Sequence, residues 1–140
     1  MKELFDVHCH MVPGVDDGAA DLEESLAMLK MQHEDGVRKI IITPHYRRRM
    51  FETPAKKVHE QFLKLQEAAK KEYPDMSLYL GCELHSNMDL QDILEKRKYV
   101  TMAGSSYVLL EFSEGDSAQH IRERVYNVLS CGYEPIIAHV

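Results

Sequence analysis

LFDVHCHMVPGVDDGAADLEESLAMLKMQHEDGVRKIIITPH, residues 4–45, sets a helical stretch between two short apolar runs. LFDVH (Leu4 to His8) has the length of a short strand, and VRKIIIT (Val37 to Thr43) is a β-branched run that stops at Pro44. Between them, DLEESLAMLKMQHEDG predicts a helix with Asp21 as N-cap, Glu24 three residues on and Gly36 as the stop. Leu22, Leu26 and Leu29 share its expected buried face. Strand, helix, strand in this order is the unit from which parallel sheets are built.

The alternation continues to the end of the chain. Ala55 to Lys71 places Val58, Phe62 and Leu65 at helical spacing, and SLYLGCE (Ser77 to Glu83) is an expected third strand. A short helix from Leu90 to Lys96 and a strand YVLLEF (Tyr107 to Phe112) follow. SAQHIRERVYNVLSCG is a helix with Ile121, Val125, Val128 and Leu129 inward, and PIIAHV (Pro135 to Val140) is the last strand. Five strands and four helical segments predict an α/β fold with a mostly parallel sheet, as a single domain over residues 1–140.

Composition narrows the function classes. With 140 residues, 44% hydrophobic and 29% charged, the chain matches one globular domain that can bury a core. A formal charge of −6 argues against nucleic acid or an anionic membrane surface as the main partner, since both require a basic face. Only RKIIITPHYRRR is locally basic. Cys9, Cys82 and Cys131 are odd in number and far apart, which suggests neither a disulfide framework nor a zinc knuckle and fits a reducing cytoplasm. MKELFDVHCH lacks the apolar core of a signal peptide, and no window approaches the about 18 apolar residues of a membrane span. A cytoplasmic protein without membrane insertion is the expectation.

The metal-friendly side chains gather where the strands end. His8 and His10 stand at or just after the end of the first expected strand, His45 after the second and Glu83 at the end of the third; Glu111 is near the end of the fourth and His139 near the end of the fifth. Active sites of parallel α/β folds sit at those ends, because the loops there converge on one mouth. His8 and His10 are two apart, so on extended backbone both imidazoles face one side while Cys9 faces the other. Histidine with carboxylate suits manganese, iron or zinc at a hydrolytic site, and six candidates exceed what one tetrahedral centre needs. Asp16 and Asp17 before Gly18 read as turn residues on their own. His33, His59 and His120 fall on helices as ordinary residues, whereas His85, two beyond Glu83, is a substrate-side candidate. No cysteine is followed six positions later by arginine, which removes the Cys-x5-Arg phosphate loop, and no GxxxxGK[ST] loop is present.

DVHCHMVPGVDDG, IITPHYRRRMFETP, GCELHSNMD, YVLLEFS and PIIAHV, in this order and spacing, resemble the manganese-dependent bacterial protein-tyrosine phosphatases of the polymerase-and-histidinol-phosphatase (PHP) superfamily. The resemblance runs along the whole chain. It implies a distorted (β/α)7 TIM-like barrel with two or three Mn2+ ions, iron or zinc being alternatives. Carried over by position, it implies His8, His10, Asp17, His45, Glu83, Glu111 and His139 as metal ligands. Arg47 and Arg48, with Arg49, follow His45 and are expected to bind the phosphate bidentately. The implied reaction is hydrolysis of phosphotyrosine by hydroxide held on the metals, with no covalent phosphoenzyme. Phenolate, with a pKa near 10, is a leaving group that needs little acid assistance. The implied partner is the tail of a membrane tyrosine autokinase that controls capsule or exopolysaccharide export.

Members of that family are longer, by on the order of a hundred residues for a barrel of ~250. The expectation is therefore a barrel truncated after the fifth strand, lacking an Asp-x-His ligand pair and phosphate-binding arginines. Such a sheet has an open edge, so the 140-residue form is expected to be a fragment or to associate with itself through that edge. The alternatives are a PHP phosphoesterase acting on a small ester such as histidinol phosphate, an amidohydrolase-type or nuclease-type metal hydrolase, and a catalytically incomplete metal-binding fragment.

Overall fold

The computed structural model describes residues 2–96 and 101–139. Among them the elements run β1 (Leu4–Asp6), α1 (Leu22–Glu34), β2 (Val37–Ile42), β3 (His45–Tyr46), α2 (Ala55–Glu72), β4 (Ser77–Leu80), β5 (Glu83–His85), α3 (Leu90–Lys96), β6 (Tyr107–Glu111), α4 (Ala118–Ser130) and β7 (Glu134–Ile137). Every strand ladder among the described residues is parallel, in agreement with the expected α/β class.

The strands are more numerous than expected, because one of the expected five, Ser77 to Glu83, divides and an unexpected two-residue strand, β3, follows Pro44. They form two sheets, one ordered β1-β2-β4 and the other β3-β5-β6-β7. Pairing on β2 ends at Ile42 and resumes at His45 in the other sheet, across Pro44, which has no N–H to give a ladder. The expected strand from Ser77 to Glu83 divides at Gly81 and Cys82 into β4 and β5. His45, expected just after a strand, and Glu83, expected at a strand's end, thus both open strands of the second sheet. Contacts divide the chain correspondingly into two compact units, Met1–Pro44 with Thr53–Leu80, and His45–Glu52 with Gly81–Val140.

In the first unit, β2 is the central strand, paired from Lys39↔Ser77 to Ile42↔Leu80 on one side and with β1 on the other. Leu29, Ile40, Ile42, Val58, Phe62, Leu65 and Leu78 form its core, so the α2 spacing is borne out. Asp21 caps α1 as expected, its Oδ1 accepting from the Glu24 N–H at 2.8 Å, and Glu24 reaches back to the Ala20 N–H at 3.3 Å. Leu29 is buried and Leu26 packs against the core, but Leu22, in the open first turn, is 37% exposed. The C-terminal end of α1 is tied to the turn before β4. Asp75 accepts from His33 Nε2 at 3.0 Å and pairs with Arg38 Nε at 3.1 Å, while Tyr73 stacks on the His33 ring.

In the second unit, β6 lies between β5 and β7. Leu84, Leu90, Leu94, Val108, Leu110 and Val128 are the core, and Ser117 Oγ caps α4 by accepting from the His120 N–H. Ile121 and Val125 are half-buried, whereas Leu129 is 52% exposed, because it lies about 100° around the helix from Val128. The last strand stops at Ile137, and Val140 of the expected PIIAHV strand lies outside the described residues. No described helix is long and apolar enough to cross a membrane.

The Asp75 clip has a pH signature. The hydrogen bond from His33, with the charges of His33 and Arg38 beside it, holds the Asp75 carboxyl below its ordinary value of 3.8. A depressed acid contributes stability that is present above its unfolded value and lost as pH falls through the folded one. Asp75→Asn is expected to lower Tm slightly at pH 7, with the difference from the parent shrinking as pH falls below about 4. Thermal melts of the two proteins from pH 7 to pH 3 check this.

Candidate metal centre

In the first unit, the backbone keeps its extended course past β1. The Cys9 carbonyl accepts from both the N–H and the hydroxyl of Thr43, at 2.8 and 3.3 Å, so the segment stays alongside the end of β2. Side chains therefore alternate. His8 and His10 lie on one side with ring centroids 5.4 Å apart, and Cys9 packs against the core. The loop then folds back so that the Ala19 N–H reaches the His10 carbonyl at 3.1 Å. A Cβ at Gly18 would stand 2.0 Å from that carbonyl oxygen, so the return admits glycine alone.

This fold-back buries Asp16 and leaves Asp17 exposed. Asp16 Oδ1 accepts from the Gly18 N–H at 2.9 Å, and Oδ2 lies 3.1 Å from His10 Nδ1. A carboxylate can only accept, so His10 Nδ1 carries the proton and its Nε2 presents the lone pair. His10 and Asp17 hold ligand atoms within 4.8 Å of each other. Three of the seven expected ligands, His8, His10 and Asp17, thus share this one segment. Asp16 makes the expected turn contact to the Gly18 N–H and, beyond that expectation, also orients the His10 ring.

The second unit assembles the other four. Parallel pairing sets His45 opposite Glu83 and His85 opposite Glu111. His45 Nδ1 lies 3.5 Å from Glu83 Oε2 and 3.3 Å from Glu111 Oε2, and His139 Nε2 lies 2.8 Å from Glu83 Oε1. His139 follows β7 with φ +57, a left-handed residue at the strand's exit. The Glu83 side chain has no solvent exposure, and Glu111 Oε2 is buried without a hydrogen bond among the described residues. Two carboxylates and an imidazole with all ligand atoms within 4.8 Å of one another suit a divalent cation. A cation there would neutralise the converging acids and could be coordinated by Glu111 Oε2, so the residues fit a metal.

The remaining candidates behave differently. Burial, reinforced by the charges of Asp6 and Asp16, pushes the Cys9 thiol well above its ordinary range, so Cys9 is no thiolate nucleophile. Arg47, Arg48 and Arg49 lie on a tight return in which Arg47 and Phe51 exchange backbone hydrogen bonds, both at 2.9 Å. Arg48 is exposed, Arg47 half-buried, and none of the three guanidinium groups forms an ion pair among the described residues. Phe51 stacks on the His45 ring at 5.1 Å, so the return also braces a candidate ligand.

Residues 4–140 match the model of the family described as capsular polysaccharide synthesis, CpsB/CapC. The chain belongs to this family. Among curated CpsB/CapC-type relatives, it is 40% identical over 137 residues to the tyrosine-protein phosphatase CpsB of Streptococcus pneumoniae, covering 98% of this chain and 56% of that protein. It is 29% identical over 136 residues to the tyrosine-protein phosphatase YwqE of Bacillus subtilis, covering 97% and 54%. A crystal structure from work on YwqE and CpsB, described there as unique metal-dependent tyrosine phosphatases, matches with a TM-score of 0.86 and 29% identity over 97% of this chain and 55% of that one. The chain spans about half the length of the curated relatives it matches.

Two substitutions probe the CpsB/CapC-type loop. Asp16→Asn can accept from only one of its two donors, so Mn2+ affinity, read by titration calorimetry, is expected to fall about 10–100-fold. Gly18→Ala must move the His10 carbonyl, at a cost of about 1–3 kcal/mol, and the melting temperature is expected to fall by several degrees.

Proposed function

We propose that this chain carries metal-binding machinery of a protein-tyrosine phosphatase that hydrolyses phosphotyrosine without a covalent enzyme intermediate. The observation that carries the reading is the convergence of His45, Glu83 and Glu111, with a buried Glu111 oxygen that has no hydrogen bond among the described residues, in a chain of the CpsB/CapC family. The names of the relatives, metal-dependent tyrosine phosphatases, support the substrate class.

His8, His10, Asp17, His45, Glu83, Glu111 and His139 are the proposed ligands of two or three divalent ions, Mn2+ foremost, with iron or zinc as alternatives. When bound, such ions supply a hydroxide at neutral pH and offset the charge of the phosphoryl oxygens. The protein's own contribution is arrangement. Asp16 holds the His10 ring in one tautomer, and the pairing of His45 with Glu83 and of His85 with Glu111 sets the spacing of three ligands. Arg47 and Arg48, whose guanidinium groups make no ion pair among the described residues, are proposed to meet the phosphate. The tyrosine phenolate leaves without a dedicated acid.

In the same proposal, residues 1–140 are part of a distorted (β/α)7 barrel domain. The physiological substrate is the tyrosine-rich tail of a membrane autokinase of capsule or exopolysaccharide synthesis, met from the cytoplasm. Exposed Ile136 and Ile137 on β7 would support self-association through an open sheet edge.

The test is phosphate release from a phosphotyrosine peptide, with a phosphoserine peptide as control, in Mn2+ and then in chelator. Release that is Mn2+-dependent, selective for tyrosine and lost in Glu111→Gln is the expected result. Release that persists in chelator, or faster hydrolysis of histidinol phosphate than of the peptide, would overturn the reading.

A further inference from the structure

We infer that the Ser113 hydroxyl donates a hydrogen bond to the phosphoryl group of the substrate, and that buried His85 is the positioning residue that keeps it a donor; this rests on the phosphatase reading above.

His85 is 2% exposed and has both ring nitrogens engaged. Its Nδ1 lies 3.1 Å from the backbone nitrogen of Asn87, which can only donate, so Nδ1 is the bare nitrogen. The ring proton of the neutral imidazole is therefore on Nε2, which lies 3.0 Å from Ser113 Oγ and donates to it. With an acceptor site of Oγ filled from behind, the hydroxyl's own proton is directed away from His85. The Ser113 backbone is also fixed, its N–H meeting Asp116 Oδ2 at 2.8 Å.

The position of this pair gives it its task. Side chains two apart on a strand share a face, so His85 stands one step beyond Glu83 on β5, and Ser113 one step beyond Glu111 at the end of β6. The two strands are in register with His85 opposite Glu111. His85 thus shares its rung with Glu111 and stands one step past Glu83, and Ser113 follows one step past Glu111, toward the ends of the strands where substrate enters such folds. Ser113 is part-exposed, unlike Glu83 and His85. A buried histidine spent on orienting one partly exposed hydroxyl, on the mouth side of an acidic metal centre, suits recognition of an anion that bridges from the metals.

The experiment is calorimetric titration of the Mn2+-loaded chain with inorganic phosphate, after Mn2+ affinity has been measured for each variant. Ser113→Ala is expected to bind phosphate about 10–100-fold more weakly with unchanged Mn2+ affinity, and Ser113→Thr to stay close to the parent. His85→Gln, which keeps an N–H donor, is expected to retain more phosphate affinity than His85→Leu at equal Mn2+ affinity. Parent-like phosphate binding by Ser113→Ala, or an equal loss of Mn2+ affinity in that variant, would overturn the inference and leave the phosphatase reading standing. A Mn2+-loaded parent that binds no phosphate would overturn that reading, and this inference with it.

Discussion

The Glu83 carboxylate, fully withdrawn from solvent, is the constraint around which the second unit is arranged. An ionised carboxylate in such a place is tolerated only with close partners, because the lost hydration is worth several kcal/mol. His139 meets one of its oxygens and His45 the other, while Glu111 on the neighbouring strand brings a second negative charge to the same imidazole. Two acids converging on one ring, out of solvent, is an arrangement that concentrates negative charge. Its natural complement is a divalent cation. The local backbone answers the same need: β3 is two residues long and begins with His45 opposite Glu83, and all three residues of β5 are buried.

Local features of the fold were legible in the sequence, and partner choice was not. The Asp21 cap, the Gly36 stop and the Val58, Phe62, Leu65 spacing act within a helical turn or two, so residue identity reports them directly. The division of SLYLGCE is different. Its residues favour strand throughout, but Leu80 finds its ladder beside Ile42 while Glu83 finds its own beside His45 and Leu109. Which sheet a residue joins depends on distant segments that a periodicity does not contain. A two-residue strand such as β3 is also shorter than any alternation that could announce it. The misplacing of Leu129 has a smaller cause, one step of about 100° around α4 from the buried Val128.

The candidate site shows the same boundary between local and distant information. Ligand types at strand limits were readable because histidine and glutamate are conspicuous among apolar runs. Asp16 and Asp17 are chemically identical neighbours, and no composition or spacing separates them. The separation comes from the close approach of Gly18 to the His10 carbonyl, which turns Asp16 inward onto the His10 ring and Asp17 outward. His85 was a substrate-side candidate by its distance of two from Glu83. Its tautomer depends on the Asn87 N–H, which only the turn after β5 brings into reach.

One electrostatic environment also selects the chemistry of the first unit. Cys9 lies between His8 and His10 in sequence, and a thiol beside imidazoles is a common source of a phosphate-attacking nucleophile. Here the strand alternation sends the sulfur into the core, and the negative charges of Asp6 and Asp16 add to burial in opposing the thiolate. The same negative charge favours a bound cation, and Asp16 additionally holds the proton of His10 on Nδ1. One carboxylate thus both opposes the thiolate and orients the imidazole. Neither burial nor the neighbouring charge at Cys9 favours the thiolate that a Cys-x5-Arg phosphate loop would need, and the sequence carries no such loop.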